Sequence, residues 1–147
     1  MSTRLPPFSL PDQEGHIRTD NEFKQGWLAL YFYPKDNTSG CTLQAQGFRD
    51  KMKDFAKRNC KIVGVSRDSV TSHDGFCQKQ GINFTLLSDE KGELCNAMST
   101  WVEKSMYGKK YMGIERSTFL FHDGLLVREW RKVKVPGHVA EVMAAIK

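Results

Sequence analysis

Along the chain, short unbroken apolar runs alternate with stretches in which apolar residues recur at helical spacing. WLALYFY, residues 27–33, is a continuous apolar run of strand length that Pro34 closes, so residues 35–40 should form a loop at the carboxyl edge of a sheet. Beyond that loop the period changes: Leu43, Ala45, Phe48, Met52 and Phe55 recur at helical spacing, predicting a helix that Thr38 or Ser39 caps. Cys41 then falls in the first turn of that helix.

Before this unit, residues 8–10 and 16–18 flank the turn residues 11–15 as a short hairpin, and a helical turn follows over residues 21–24 behind Asp20. After it, residues 61–66 form a second apolar strand, and the helix between two such strands makes them parallel. A helix over 70–80 is capped by Asp68 or Ser69 and closed by Gly81. Residues 84–87 read as a strand, followed by a short helix carrying Leu94, Ala97 and Met98, and from 101 to 113 no period is legible. Residues 117–121 and 125–130 are joined by His122, Asp123 and Gly124, a hairpin signal, and a last helix spans 136–146 with Pro136 at its start. The order β-α-β-α-β-α-β-β-α predicts an α/β protein with a central mixed sheet flanked by helices, in one domain over residues 1–147.

Composition changes this picture little. An apolar content of 39% and a charged content of 27% are ordinary for a globular protein. The beginning, MSTRLPPFSLPDQ, has no apolar signal segment, and no run approaches the roughly 20 residues that cross a bilayer. A cytoplasmic protein with no membrane partner is expected. The net charge of +5 is scattered, and the cluster of Arg128, Arg131, Lys132 and Lys134 is interleaved with Trp130, Val133 and Val135 as on a strand with one solvated face. This argues against nucleic-acid binding.

The four cysteines, Cys41, Cys60, Cys77 and Cys95, contain no C-x-x-C pair. That spacing argues against a C-x-x-C oxidoreductase and a metal site, and four cysteines in a chain of this size without an apolar signal segment argue against a disulfide scaffold, which leaves redox, catalytic or buried thiols. His73, between Ser72 and Asp74, reads as a solvated helix surface. Cys41 is the candidate nucleophile, because unpaired N–H groups and the positive dipole end at a helix start favour a thiolate over a thiol.

Pro34, Thr38 and Cys41 form P-x-x-x-T-x-x-C. Together with YFYPKDNTSGCT, GFRD, YMGIERSTFLF and WRKVKVPGH, this resembles the peroxiredoxins, in their PrxQ or bacterioferritin-comigratory-protein branch, over nearly the whole chain. The resemblance implies a thioredoxin-like fold and a thiol peroxidase without cofactor or metal, reducing hydrogen peroxide and organic hydroperoxides. It implies that Cys41 is oxidised to a sulfenic acid while the Thr38 hydroxyl, backbone N–H groups at Gly40 and Cys41, and the Arg116 guanidinium stabilise the reacting oxygens and Pro34 shields the sulfur. It further implies a monomer reduced by thioredoxin or a glutaredoxin-like dithiol.

The chain also departs from the family's pattern. Many members carry a second cysteine five residues after the first, where this chain has Gln46, and Ser39 stands where the family often has proline. Similarity to the subgroup whose resolving cysteine lies on the following helix implies that Cys77, in SHDGFCQKQG, closes a disulfide with Cys41; flanked by Gln78 and Lys79, it is expected to face solvent. Cys60 stays open as a second candidate, and Cys95, beside Leu94, reads as core. Cysteines on two different helices are not expected within the roughly 7 Å between Cα atoms that a disulfide needs, so the first turn or two of the Cys41 helix should unwind. A one-cysteine peroxidase reduced by an external thiol and a peroxide-sensing switch without turnover are the alternatives.

Overall fold

The structure, a computed structural model, describes residues 3–146. Strands β1 (Ser9–Pro11) and β2 (Ile17–Thr19) pair as the expected amino-terminal hairpin. A 3-10 turn over Asp20–Phe23 follows, its start fixed by the Thr19 N–H donating to the Glu22 carboxylate at 2.9 Å. The apolar run forms β3 (Trp27–Phe32), and the helix after it breaks in two at Lys51, giving α1 (Ser39–Asp50) and α2 (Met52–Lys57). Then come β4 (Cys60–Ser66), α3 (Val70–Gln80), β5 (Thr85–Ser88) and α4 (Glu93–Ala97). Strands β6 (Trp101–Met106), β7 (Lys109–Ile114), β8 (Ser117–His122) and β9 (Leu125–Trp130) precede α5 (His138–Ala144).

The main sheet has the order β5-β4-β3-β8-β9. Strands β3, β4 and β5 run parallel, while β8 lies antiparallel to both β3 and β9. This is the mixed α/β sheet the chain pattern predicts, and its layout is thioredoxin-like. Because side chains alternate across a strand, β3 and the residue after it send Ala29, Tyr31 and Tyr33 into a cluster with Phe48, Phe55 and Phe76 on one face. Leu28, Leu30 and Phe32 enter a second cluster with Val63, Leu94 and Phe119 on the other. Both faces are covered, which explains why β3 reads as an unbroken apolar run.

Two local signals have clear physical causes. The Ser69 hydroxyl accepts from the Ser72 N–H at 3.1 Å at the start of α3, and Gly81 ends it at φ 64, a left-handed conformation without a Cβ penalty. The β8–β9 turn places Asp123 at φ 50 and Gly124 at φ 80. The unexpected element is the hairpin of β6 and β7, turned at Tyr107 (φ 52) and Gly108 (φ 77). Most of its residues are exposed, so neither face imposes an alternating pattern.

His138 gives the fold a pH dependence. Its ring lies buried edge-on to Trp130, with Nε2 2.8 Å from the Thr118 hydroxyl. Burial lowers its pKa below the ordinary value against the pull of Glu141, with Arg116 adding to the lowering. In the unfolded chain the imidazole titrates near 6.5, so the stabilisation is complete above that pH and is lost as the pH falls toward the folded value. The melting temperature should fall between about pH 7 and about pH 5, with a shallower slope in His138→Gln, measured by circular dichroism.

Candidate active site

The loop before Cys41 begins where the sheet can no longer pair. Tyr33 still donates its N–H to the Val65 carbonyl at 3.1 Å, whereas Pro34 has no N–H to give. The chain then turns through Asp36 and Asn37, the latter at φ 64, and reaches Thr38 in an extended conformation. The Thr38 carbonyl accepts the first helical bond, from the Thr42 N–H at 2.9 Å. Its hydroxyl does not cap the helix; it donates to the Lys35 carbonyl at 2.9 Å. Pro34 is partly exposed and Thr38 is exposed, while Cys41 is 1% exposed.

Arg116 is brought to that sulfur from the short link between β7 and β8. Its Nη2 donates to Cys41 Sγ at 3.2 Å, and its Nη1 donates to Gln44 Oε1 at 2.6 Å. Gln44 is fully buried three residues after Cys41, so one helix face offers both the sulfur and the anchor for the guanidinium. The fixed fork of arginine is what lets one side chain serve both. Gly40 permits the close approach, since a Cβ there would lie 3.3 Å from Nη2. Half-buried Lys104 adds a second cation; burial and Arg116 lower its pKa, with Cys41 opposing. A cleft of about 290 Å³ beside Arg116 is lined by Val102, Lys104, Glu115, Lys132 and Val133.

All four thiols are free and buried. Cys41 is the one whose sulfur receives a hydrogen bond from a guanidinium. Burial pushes Cys60 up to about 12. Cys77 is also pushed up to about 12, by burial first and then by the charges of Asp36, Asp74 and Glu14. Cys95 is raised too, by burial and then by Asp89. These three are protonated at neutral pH in the folded state.

Two expectations are corrected. Cys77 does not face solvent: it is 9% exposed and shares an apolar cluster with Cys41, because α3 turns His73, Phe76 and Cys77 inward together at helical spacing. His73 is not a solvated surface residue either; it is fully buried, with Nδ1 2.6 Å from Asp36 Oδ2. The carboxylate of Asp36 is opposed by burial, but hydrogen bonds from His73, Tyr33 and Ser72 hold its pKa below the usual range. Of the motif residues, Cys41 and Arg116 are in direct contact; the Thr38 hydroxyl turns to the backbone. The sequence does not single out Gln44 or Asp36 as site residues, although Gln44 follows Cys41 at helical spacing.

Asp36, Asp68 and His73 also place one ligand-type atom each within 4.8 Å of one another. Those atoms are engaged with hydroxyl and N–H donors from Tyr33, Ser66 and Ser72 and with each other. The cluster is a hydrogen-bond hub.

The chain is similar to known proteins over most of its length. The AhpC/TSA family matches residues 1–129. Peroxiredoxin Bcp of Xanthomonas campestris is 55% identical over 122 residues, covering 82% of this chain and 76% of that relative. The solved structure of Xanthomonas campestris Peroxiredoxin Q superposes with a TM-score of 0.90 at 49% identity, over 95% of this chain and 89% of that one. A second structure, from work on alkyl peroxide reduction by the bacterioferritin comigratory protein of the same organism through trapped intermediate and ligand complexes, gives a TM-score of 0.90 at 48% identity over the same shares. With its Cys41–Arg116 contact and thioredoxin-like sheet, the chain belongs to the AhpC/TSA family, among the Bcp and PrxQ peroxiredoxins.

Proposed function

We propose that the protein is a thiol peroxidase in which Cys41 reduces hydrogen peroxide and organic hydroperoxides. The contact between Arg116 Nη2 and Cys41 Sγ, 3.2 Å long, carries this reading. The Cys41 thiolate attacks the nearer peroxide oxygen; an S–O bond forms, the O–O bond breaks, and water or an alcohol leaves with a proton, while the sulfur becomes a sulfenic acid. Negative charge spreads over sulfur and both oxygens as the bond breaks, and Arg116, held by Gln44, meets it with a preorganised cation. Backbone N–H groups at Gly40 and Cys41 supply further donors, and Pro34 limits water at the sulfur. Thr38, exposed at the mouth, serves the incoming oxygen when its hydroxyl leaves the Lys35 carbonyl.

Resolution by Cys77 is part of the same proposal. The Cys77 sulfur displaces hydroxide from the Cys41 sulfenic acid, giving a disulfide and water. A thiol pushed up to about 12 is a poor nucleophile where it lies. Opening the first turn of α1 therefore has two effects: it brings the sulfurs together and returns Cys77 to water, where its pKa is ordinary. That same burial favours the second reading, a one-cysteine peroxidase resolved by an external thiol. Thioredoxin or a glutaredoxin-like dithiol is the proposed reductant, and a cytoplasmic monomer the proposed form. Among the described residues no helix is long and apolar enough to cross a membrane.

The test is NADPH oxidation in a mixture of hydroperoxide, thioredoxin, thioredoxin reductase and the protein. Turnover that requires both protein and peroxide is expected. Oxidation of one equivalent without turnover, even with a dithiol present, would instead identify a peroxide-sensing switch.

A further inference from the structure

The loop leading to Cys41 rests on a buried, hydrogen-bonded pair, Asp36 and His73, that the chemistry at sulfur does not use. Asp36 Oδ1 accepts from the Tyr33 hydroxyl at 2.6 Å, and Oδ2 accepts from the Ser72 hydroxyl at 2.8 Å. Oδ2 also lies 2.6 Å from His73 Nδ1, and the other ring nitrogen, Nε2, lies 3.0 Å from the Leu87 carbonyl. A carbonyl oxygen only accepts, so Nε2 carries a hydrogen, and Nδ1 and Oδ2 are joined by a short hydrogen bond. The pair is sealed, with side chains 0% and 1% exposed. On the loop side the Asp36 N–H donates to Asp68 Oδ2 at 2.9 Å, which the Ser66 hydroxyl also reaches at 2.6 Å.

Five parts of the fold meet there: the end of β3 through Tyr33, the loop through Asp36, the β4–α3 link through Asp68, α3 through Ser72 and His73, and β5 through Leu87. The loop that positions Cys41 is thereby tied to the helix that carries Cys77, one turn beyond His73 on the same face. We propose that His73 and Asp36 are positioning residues forming a latch: closed, it holds the Thr38–Cys41–Arg116 geometry; open, it frees the first turn of α1 to reach Cys77. The second half rests on Cys77 being the resolving cysteine. A sealed hydrogen-bonded pair suits the task, because losing one partner leaves buried polar atoms unsatisfied and opening is then all-or-none.

The two halves of the catalytic cycle must respond in opposite senses, which general destabilisation does not produce. Quenched-flow oxidation by hydrogen peroxide, with thiols blocked and products read by mass spectrometry, separates the rate of Cys41 oxidation from the rate of disulfide formation. In Asp36→Asn, oxidation should slow by about tenfold and disulfide formation should quicken by about tenfold, the factor expected from one charged hydrogen bond. Amide exchange over residues 37–43 should rise in step. Ser72→Ala, which removes one hydroxyl and keeps the Asp36–His73 contact, should shift both rates the same ways by less, and it carries the test if Asp36→Asn does not fold. Both rates falling together, or neither changing, overturns the latch. Cys77→Ser run alongside isolates the other assumption: if it still closes an intramolecular disulfide, Cys77 is not the resolving residue, and the latch is judged on Cys41 oxidation and amide exchange.

Discussion

Cys41→Ser should consume no hydroperoxide in the thioredoxin-coupled assay, while Cys60→Ala and Cys95→Ala turn over at the wild-type rate. A hydroxyl at position 41 is neither ionised at neutral pH nor able to take up the peroxide oxygen as a sulfenic acid. The other two thiols are buried in the apolar clusters and pushed up in pKa, with no guanidinium hydrogen-bonded to either sulfur. Peroxide consumption that survives in Cys41→Ser would place the chemistry elsewhere.

Arg116→Met should lower the second-order rate constant of Cys41 oxidation by about 10² to 10³, the range for loss of one preorganised donor to a developing negative charge. Stopped-flow kinetics with hydrogen peroxide measure it directly. Arg116→Lys should recover only part of the loss, because an ammonium is a point charge and cannot hold Gln44 Oε1 at 2.6 Å and Cys41 Sγ at 3.2 Å with one rigid fork. Equal rates in arginine, lysine and methionine would show that the contact does not take part in the reaction.

The strand, loop and helix around Cys41 are legible in the sequence because local physics sets each of them. A strand buried on both faces must be apolar throughout, a proline must end its pairing, and a helix must bury a stripe at its own period. Arg116 lies far away in the chain, and only the family resemblance singles it out. What stays illegible depends on packing between elements. His73 sits between polar neighbours, and only its spacing to Phe76 and Cys77 hints that it faces inward; the carboxylate that makes its burial tolerable is 37 residues away. The side chains of Gln78 and Lys79 are exposed, yet Cys77 is not. The β6–β7 hairpin escapes notice for the opposite reason, since a ribbon wet on both faces needs no alternation, and Tyr-Gly is not a strong turn signature.

The most direct measurement treats fully reduced protein with one equivalent of hydrogen peroxide, blocks the remaining thiols and maps the products by non-reducing peptide mass spectrometry, with Cys77→Ser in parallel. A Cys41–Cys77 linkage in the wild type, replaced in the mutant by sulfenic acid trapped on Cys41, is the predicted result. A wild-type product with Cys41 still reduced would contradict the peroxidase reading, and a persistent Cys41 sulfenic acid in the wild type would contradict resolution by Cys77.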